Sequence, residues 1–193
     1  MWCSTRWHAK SLLLGCMLCA VQALAHPLLP GGQLRGEATL RYFGLQVYRA
    51  RLWTLPEFRV SQAIDQLLVL ELEYLRDLKG ESIAQRSLKE MQRAQWIAEP
   101  QAQRWLSEMQ RVFPNVKAGD RLSGQHLPGQ GARFWHNGRP TGQVDDPLFA
   151  RLFFGIWLAP TTSEPDMRSA LLGLPMAFVH VSLTPSSPVA EVS

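Results

Sequence analysis

The chain has 193 residues, 46% of them hydrophobic and 19% charged, with a formal net charge of +4. Its basic residues form no run, and two of the twenty (Arg6 and Lys10) fall in the first 25 positions, so the remainder is nearly neutral and nucleic acid is not an expected partner. All three cysteines (Cys3, Cys16 and Cys19) lie in the same 25 positions, which excludes zinc-thiolate centres and cysteine nucleophiles from everything that follows.

Residues 1–25 read as a secretory signal peptide. Arg6 and Lys10 give a positive start, Ser11–Leu24 an apolar run, and Ala23-Leu24-Ala25 a small-residue cleavage site before His26. The run is too short and wrongly flanked for a membrane span, and Cys16 follows too few apolar residues for a lipoprotein anchor. The expected destination is the periplasm or the exterior. No later segment is apolar for long enough to span a bilayer.

His26–Gly36 is a Pro/Gly-rich lead-in. Ala38–Phe43 and Leu45–Trp53 then read as strands around Gly44. In the second, Tyr48, Ala50 and Leu52 share one face and Arg49, Arg51 and Trp53 the other. Leu67–Arg76 is a third strand, with Leu68, Leu70, Leu72 and Tyr74 on a dry side and Glu71 and Glu73 on a wet one. Gly80–Gln95 changes to helical spacing through Ala84, Leu88 and Met91. A second amphipathic helix starts at Glu99-Pro100, carries Trp105, Met109 and Val112, and stops at Pro114. Both helices must bury a stripe, most economically on the dry face of the sheet.

Asp120–Leu127 returns to strand. Asn137-Gly138 marks a tight hairpin, since a type I′ turn needs positive φ at both central residues. Asp146 is placed to cap a helix that begins with Pro147 and runs to Leu158. Phe149, Leu152, Phe153 and Ile156 make one stripe of that helix, and Leu148, Phe154 and Trp157 cover most of the rest, so it should be buried nearly all round. A short helix, Glu164–Leu172, ends at Gly173, and residues 176–193 form a C-terminal tail. This order of strands, helices, strands and helices predicts α+β with an antiparallel sheet covered on one side.

At this point the chain resembles the chalcone isomerase-like family, in its bacterial exported branch. The segments LRYFGLQVYRARLW (40–53), LELEYLRDLKGESIAQRSLKEM (70–91), FPNVKAGDRLSGQHLPGQGARFWHNGRPTG (113–142) and DPLFARLFFGIWL (146–158) carry the likeness, in the family's order. The resemblance implies an open-faced β-sandwich over 26–175, a large antiparallel sheet backed by a helical layer with a ligand cleft between them. Plant members either isomerise chalcones or bind fatty acids without catalysis.

The isomerase chemistry does not carry over. In the plant enzymes an arginine, a tyrosine, an asparagine and threonines position the chalcone and hydrogen-bond its developing charge. Laying the family's strand on Leu45–Trp53 puts Tyr48 at the threonine position. Laying its helix start on Leu78–Ile83 puts Ile83 at the tyrosine, and the asparagine falls on Glu90. Arg35 or Arg41 could replace the arginine only by a shift of register. An isoleucine donates no hydrogen bond, and a glutamate repels a phenolate. No catalytic residue is therefore assigned; were there turnover, it would be that of an intramolecular lyase or isomerase.

The residues that could line a cleft are Arg41, Tyr48, Tyr74 and Arg76. A guanidinium fork beside phenolic hydroxyls suits a carboxylate at the end of an apolar cavity. Their ordinary roles are edge arginines and core tyrosines with wet tips. Arg151, the single charge within its helix, either pairs with Asp145 or Asp146 or reaches a ligand. His126 and His136 have no carboxylate or cysteine at ligand spacing and read as structural; no metal or other cofactor is expected. The expected protein is an exported, non-catalytic binder of a small apolar ligand such as a fatty acid. An isomerase and a cell-envelope interaction module with a filled cleft are the alternatives.

Overall fold

The computed structural model describes residues 26–175. The leader at 1–25 and the tail at 176–193, with its apolar piece at 176–181, lie outside the described residues. Six strands form one antiparallel sheet in sequence order: β1 (Gln33–Tyr42), β2 (Leu45–Thr54), β3 (Leu68–Tyr74), β4 (Arg121–Leu127), β5 (Gly131–His136) and β6 (Arg139–Val144). Helices α1 (Gly80–Ala94) and α2 (Glu99–Val112) are inserted between β3 and β4, and α3 (Pro147–Leu158) and α4 (Pro165–Leu172) follow β6. This is the open-faced α+β sandwich the sequence implied. Among the described residues no helix is long and apolar enough to cross a membrane.

The two faces of the sheet follow the period-2 pattern. Ala50, Leu52, Leu68, Leu70, Leu72 and Tyr74 are buried in the core beneath the helices. On the opposite face Arg51 reaches Glu73 at 2.9 Å, Glu71 at 3.2 Å and Glu37 at 3.3 Å, and Arg51 stands opposite both Glu37 and Glu71 in the register. Such cross-strand ion pairs are how a solvent-facing sheet surface is stabilised. That face is not wholly wet. The segment from His26 to Leu29 folds over it, burying Leu29 against Trp53 and Val69, and Gln125 holds the segment by donating to the Leu28 carbonyl at 2.8 Å.

The first strand begins at Gln33, five residues before the expected Ala38, because glycine serves here for close approach and not for a turn. A Cβ at Gly36 would stand 2.2 Å from the carbonyl oxygen of Ala170, so only a glycine lets α4 lie against β1. Arg35 adds a bond from its Nε to the carbonyl of Leu172 at 3.0 Å.

Asp146 caps α3 as expected, its Oδ1 accepting from the amides of Leu148 and Phe149 at 3.0 Å each. Phe149, Ala150, Phe153, Phe154, Trp157 and Leu158 are buried, but Leu148 is 43% exposed, so α3 is not covered all round. The Asn137-Gly138 turn has φ of 49° and 78°, the type I′ geometry its sequence calls for.

The expectation that both inserted helices lie on the sheet needs correction. Helix α3 is the one laid on β4 and β5, while α1 packs chiefly on α2 and α3 and α2 sits towards β6. Ala84, Leu88 and Met91, the stripe of α1, are thus buried within the helical layer. A gap opens between α1 and the first three strands.

Candidate functional site

That gap is a cavity of about 330 Å³. Its size falls at the lower end of the range typical of small-molecule sites. Dry-face strand residues form its floor, including Leu40, Leu70, Leu72 and Leu122, and α3 contributes Phe153, Phe154, Ile156 and Trp157. Phe113 and Phe134 close one side, their rings edge-to-face at 5.1 Å. Phe134 meets Phe153 at 5.3 Å, and Phe153 meets Trp157 at 5.5 Å. Gly124 leaves room for this cluster, since a Cβ there would already be 3.3 Å from the rings of Phe134 and Phe154.

Polar groups are few. Trp157 donates its indole N–H to the Tyr48 hydroxyl oxygen at 2.9 Å, and the hydroxyl proton of Tyr48 has no protein acceptor among the described residues. The Tyr48 ring lies edge-on to that of Tyr74 at 5.9 Å, and both line the cavity. Burial raises the pKa of both phenols far above the usual tyrosine value. At neutral pH each is a neutral donor, suited to a carbonyl or carboxylate oxygen.

Exposed charges mark the rim: Arg76 two residues beyond β3, Arg86 on α1, and Glu164. Glu90 also lines the cavity and is buried, yet it is fully partnered. Arg86 approaches it at 2.8 Å, Arg93 at 3.0 Å and the Ser163 hydroxyl at 2.9 Å. Burial would raise its pKa, but the bonds from Arg93 and Ser163 and the charges of Arg86 and Arg93 outweigh that, and the carboxyl is held below its ordinary value. Arg93 also donates to the Thr161 carbonyl at 2.7 Å, so this cluster ties α1 to the loop before α4.

Of the five residues singled out from the sequence, the structure brings Tyr48, Tyr74 and Arg76 together at the cavity. Arg41 is exposed on β1 and does not line it. Arg151 does not line it either, and its partner is neither Asp145 nor Asp146. It pairs with Asp65, while Asp146 is occupied by its capped amides, Gln101, Arg104 and Trp105. Asp65 lies 86 residues earlier in a 3-10 turn, beyond the reach of local pattern. Like Tyr42 and Glu164, Arg86 is a rim residue the sequence did not single out. Its signal was its place on α1 three residues after Ile83 and four before Glu90, both of which line the cavity.

Three positions that align with the isomerases' catalytic residues meet in space. Tyr48, Ile83 and Glu90, the counterparts of the threonine, tyrosine and asparagine, all border this one cavity. Neither Arg35 nor Arg41 does. Of the aromatics that might have filled the cleft, Phe153 and Trp157 wall it, Phe149 is buried outside it, and Trp135, next to the lining Phe134 on β5, does not line it. The histidines serve the scaffold: His126 Nδ1 lies 2.8 Å from the Gln66 carbonyl oxygen, and His136 pairs with Asp120 at 3.2 Å.

A sheet with helices on one face and an apolar cavity held open between the layers defines an open-faced α+β sandwich with a hollow between its layers. The model of the chalcone isomerase-like family matches residues 32–173, and the chain belongs to that family. An uncharacterised protein of Haemophilus influenzae is 30% identical over 138 residues, covering 72% of this chain and 66% of the relative, so the chain spans just under two thirds of that relative's length. A crystal structure of a fatty-acid binding protein from Arabidopsis thaliana superposes with a TM-score of 0.58 at 13% identity, covering 74% of this chain and 87% of the other. At that identity the likeness is one of fold.

Proposed function

We propose that this protein is exported through the segment 1–25 and binds a fatty acid, or a similar single-chain amphiphile, without turning it over. One observation carries the proposal: the 330 Å³ cavity has apolar walls, the neutral hydroxyls of Tyr48 and Tyr74, and exposed guanidinium groups at its rim. An acyl chain would lie among Leu70, Leu72, Phe134 and Phe153. Its carboxylate would lie towards Arg76, which has no ion pair among the described residues, with Tyr48 as a hydrogen-bond donor, at the rim end of the cavity away from the Arg86–Glu90 pair. The structural neighbour's role as a fatty-acid binding protein supports the same direction. Lipid extraction and native mass spectrometry of the purified protein, with titration of the delipidated protein by palmitate, are the test. Bound or titratable fatty acid is expected; an empty protein that takes up none overturns the proposal. Protein recovered from the periplasm should begin at His26, and an intact Met1 in the cytosol overturns export.

A second reading, an isomerase, is favoured by one feature alone: an un-ionised Tyr48 hydroxyl in a cavity that also holds Ile83 and Glu90 at the family's catalytic positions. Ile83 offers no donor, and Glu90 sets a negative charge where a phenolate would sit. Naringenin chalcone turnover above spontaneous cyclisation, lost in Tyr48→Phe, would establish this reading over simple binding. The open cavity gives no support to an interaction module with a filled cleft.

A further inference from the structure

Two tight hairpins among the described residues have nearly the same φ angles in their turns. At Asn137-Gly138 φ is 49° and 78°; at Phe43-Gly44 it is 47° and 78°. Asparagine is among the residues that tolerate the left-handed region, whereas a bulky aromatic there is strained. The β1–β2 turn thus places phenylalanine where the β5–β6 turn has asparagine, and leaves its side chain 88% exposed. Its neighbours Tyr42 and Leu45 are 54% and 56% exposed, and the Tyr42 and Phe43 rings meet edge-to-face at 4.5 Å. These three apolar residues stand together on one projecting tip, at a cost in backbone strain that folding does not require.

The tip is continuous with the cavity. Tyr42 lines the rim, and the Arg86 guanidinium lies 5.8 Å from the centre of its ring. Arg41 is the residue before Tyr42 and stands opposite Gln46. Carrying the β2–β3 register one step beyond Leu75, whose amide donates to Val47, sets Arg76 on the far side of Gln46. Arg41 and Arg76 are exposed at this end of the sheet and make no ion pair among the described residues; Glu164 is the acidic group at the rim without one. Aromatic side chains flanked by arginines match the boundary of a bilayer, where rings enter the headgroup layer and cations meet anionic lipid.

We infer that the β1–β2 tip, Tyr42-Phe43-Gly44-Leu45, docks the mouth of the cavity on an anionic lipid surface, so that a single-chain ligand passes between bilayer and cavity without crossing water. The ligand-transfer half of this inference rests on the fatty-acid reading above; the docking half does not. Phe43→Asn is the informative variant, because it installs the residue the other hairpin uses and leaves the cavity wall untouched. The purified protein is floated with vesicles of phosphatidylcholine alone or with phosphatidylglycerol added, and palmitate affinity is measured separately in vesicle-free buffer.

The expected result is partition onto the phosphatidylglycerol vesicles at least tenfold above that on phosphatidylcholine. It should fall tenfold or more in Phe43→Asn and several-fold in Arg41→Gln, with palmitate affinity in buffer unchanged in both. Equal partition of the parent protein and Phe43→Asn, or none for either, overturns docking. So does a Phe43-dependent dimer that ignores vesicles, since the tip would then serve a second copy of the chain. Palmitate binding without vesicle partition sinks this inference alone, and Phe43-dependent partition without palmitate binding sinks the fatty-acid reading alone.

Discussion

Tyr48 illustrates how one atom can serve structure and site together. Its oxygen accepts the Trp157 indole N–H, and its proton remains for a ligand. Tyr48→Phe removes both, leaving a buried indole donor unpaired. The expected loss is about 1–2 kcal/mol of stability, with fatty-acid affinity weakened roughly tenfold. Thermal melts and palmitate titration check the two effects. Trp157→Phe should lower stability yet spare more of the affinity, because the Tyr48 hydroxyl stays. At this scale the sequence was legible where period alone decides. The alternation in β2 assigned Tyr48, Ala50 and Leu52 to one face, and they share it. It was silent where a partner is distant: nothing local ties Arg151 to Asp65, or Arg86 to the ring of Tyr42.

At the scale of elements, packing overrode what periodicity could say. The stripe Ala84, Leu88 and Met91 announced an amphipathic α1 but not which surface would receive it. Helices α2 and α3 received it, so that the adjoining face, with Ile83, Ser87 and Glu90, looks into the cavity. Likewise Gly36 read as the end of a loop because its reason, the backbone of α4, lies more than a hundred residues away. Gly36→Ala should cost about 3 kcal/mol, since the new methyl would meet backbone carbonyls that cannot swing aside. Chemical denaturation measures this.

Glu90 joins α1 to the loop before α4, and its contribution has a definite pH dependence. Its folded pKa is depressed, so the stabilisation is complete above the ordinary carboxylate value and drains away as pH falls through the folded one. The gap in melting temperature between the parent protein and Glu90→Gln should therefore be widest at neutral pH and close below about pH 4. A constant gap would contradict the ion-pair account.

For the molecule as a whole, the cavity exists because α1 is supported by α2 and α3 and stands clear of the first three strands. A ready-made apolar hollow predicts a regular response to chain length. Each added methylene should tighten binding by about 0.8 kcal/mol, roughly fourfold in Kd, until the hollow is full, after which the gain stops. Calorimetry over a series of saturated fatty acids would show the slope and the break. A flat series would mean the chain lies outside.

The register irregularities of the two outermost strands affect how the molecule behaves in a crowd. An unpaired strand edge is a template on which further chains can assemble into fibres. β1 breaks its pairing between Leu34 and Gly36 and again between Leu40 and Arg41, and the β5–β6 pairing slips between Phe134 and Trp135, where Pro140 stands on the outer strand. Kinks and a missing amide spoil the even row of donors and acceptors that a seventh strand would need. Among the described residues the sheet has six strands, and margins broken in this way are poor templates for edge-to-edge assembly.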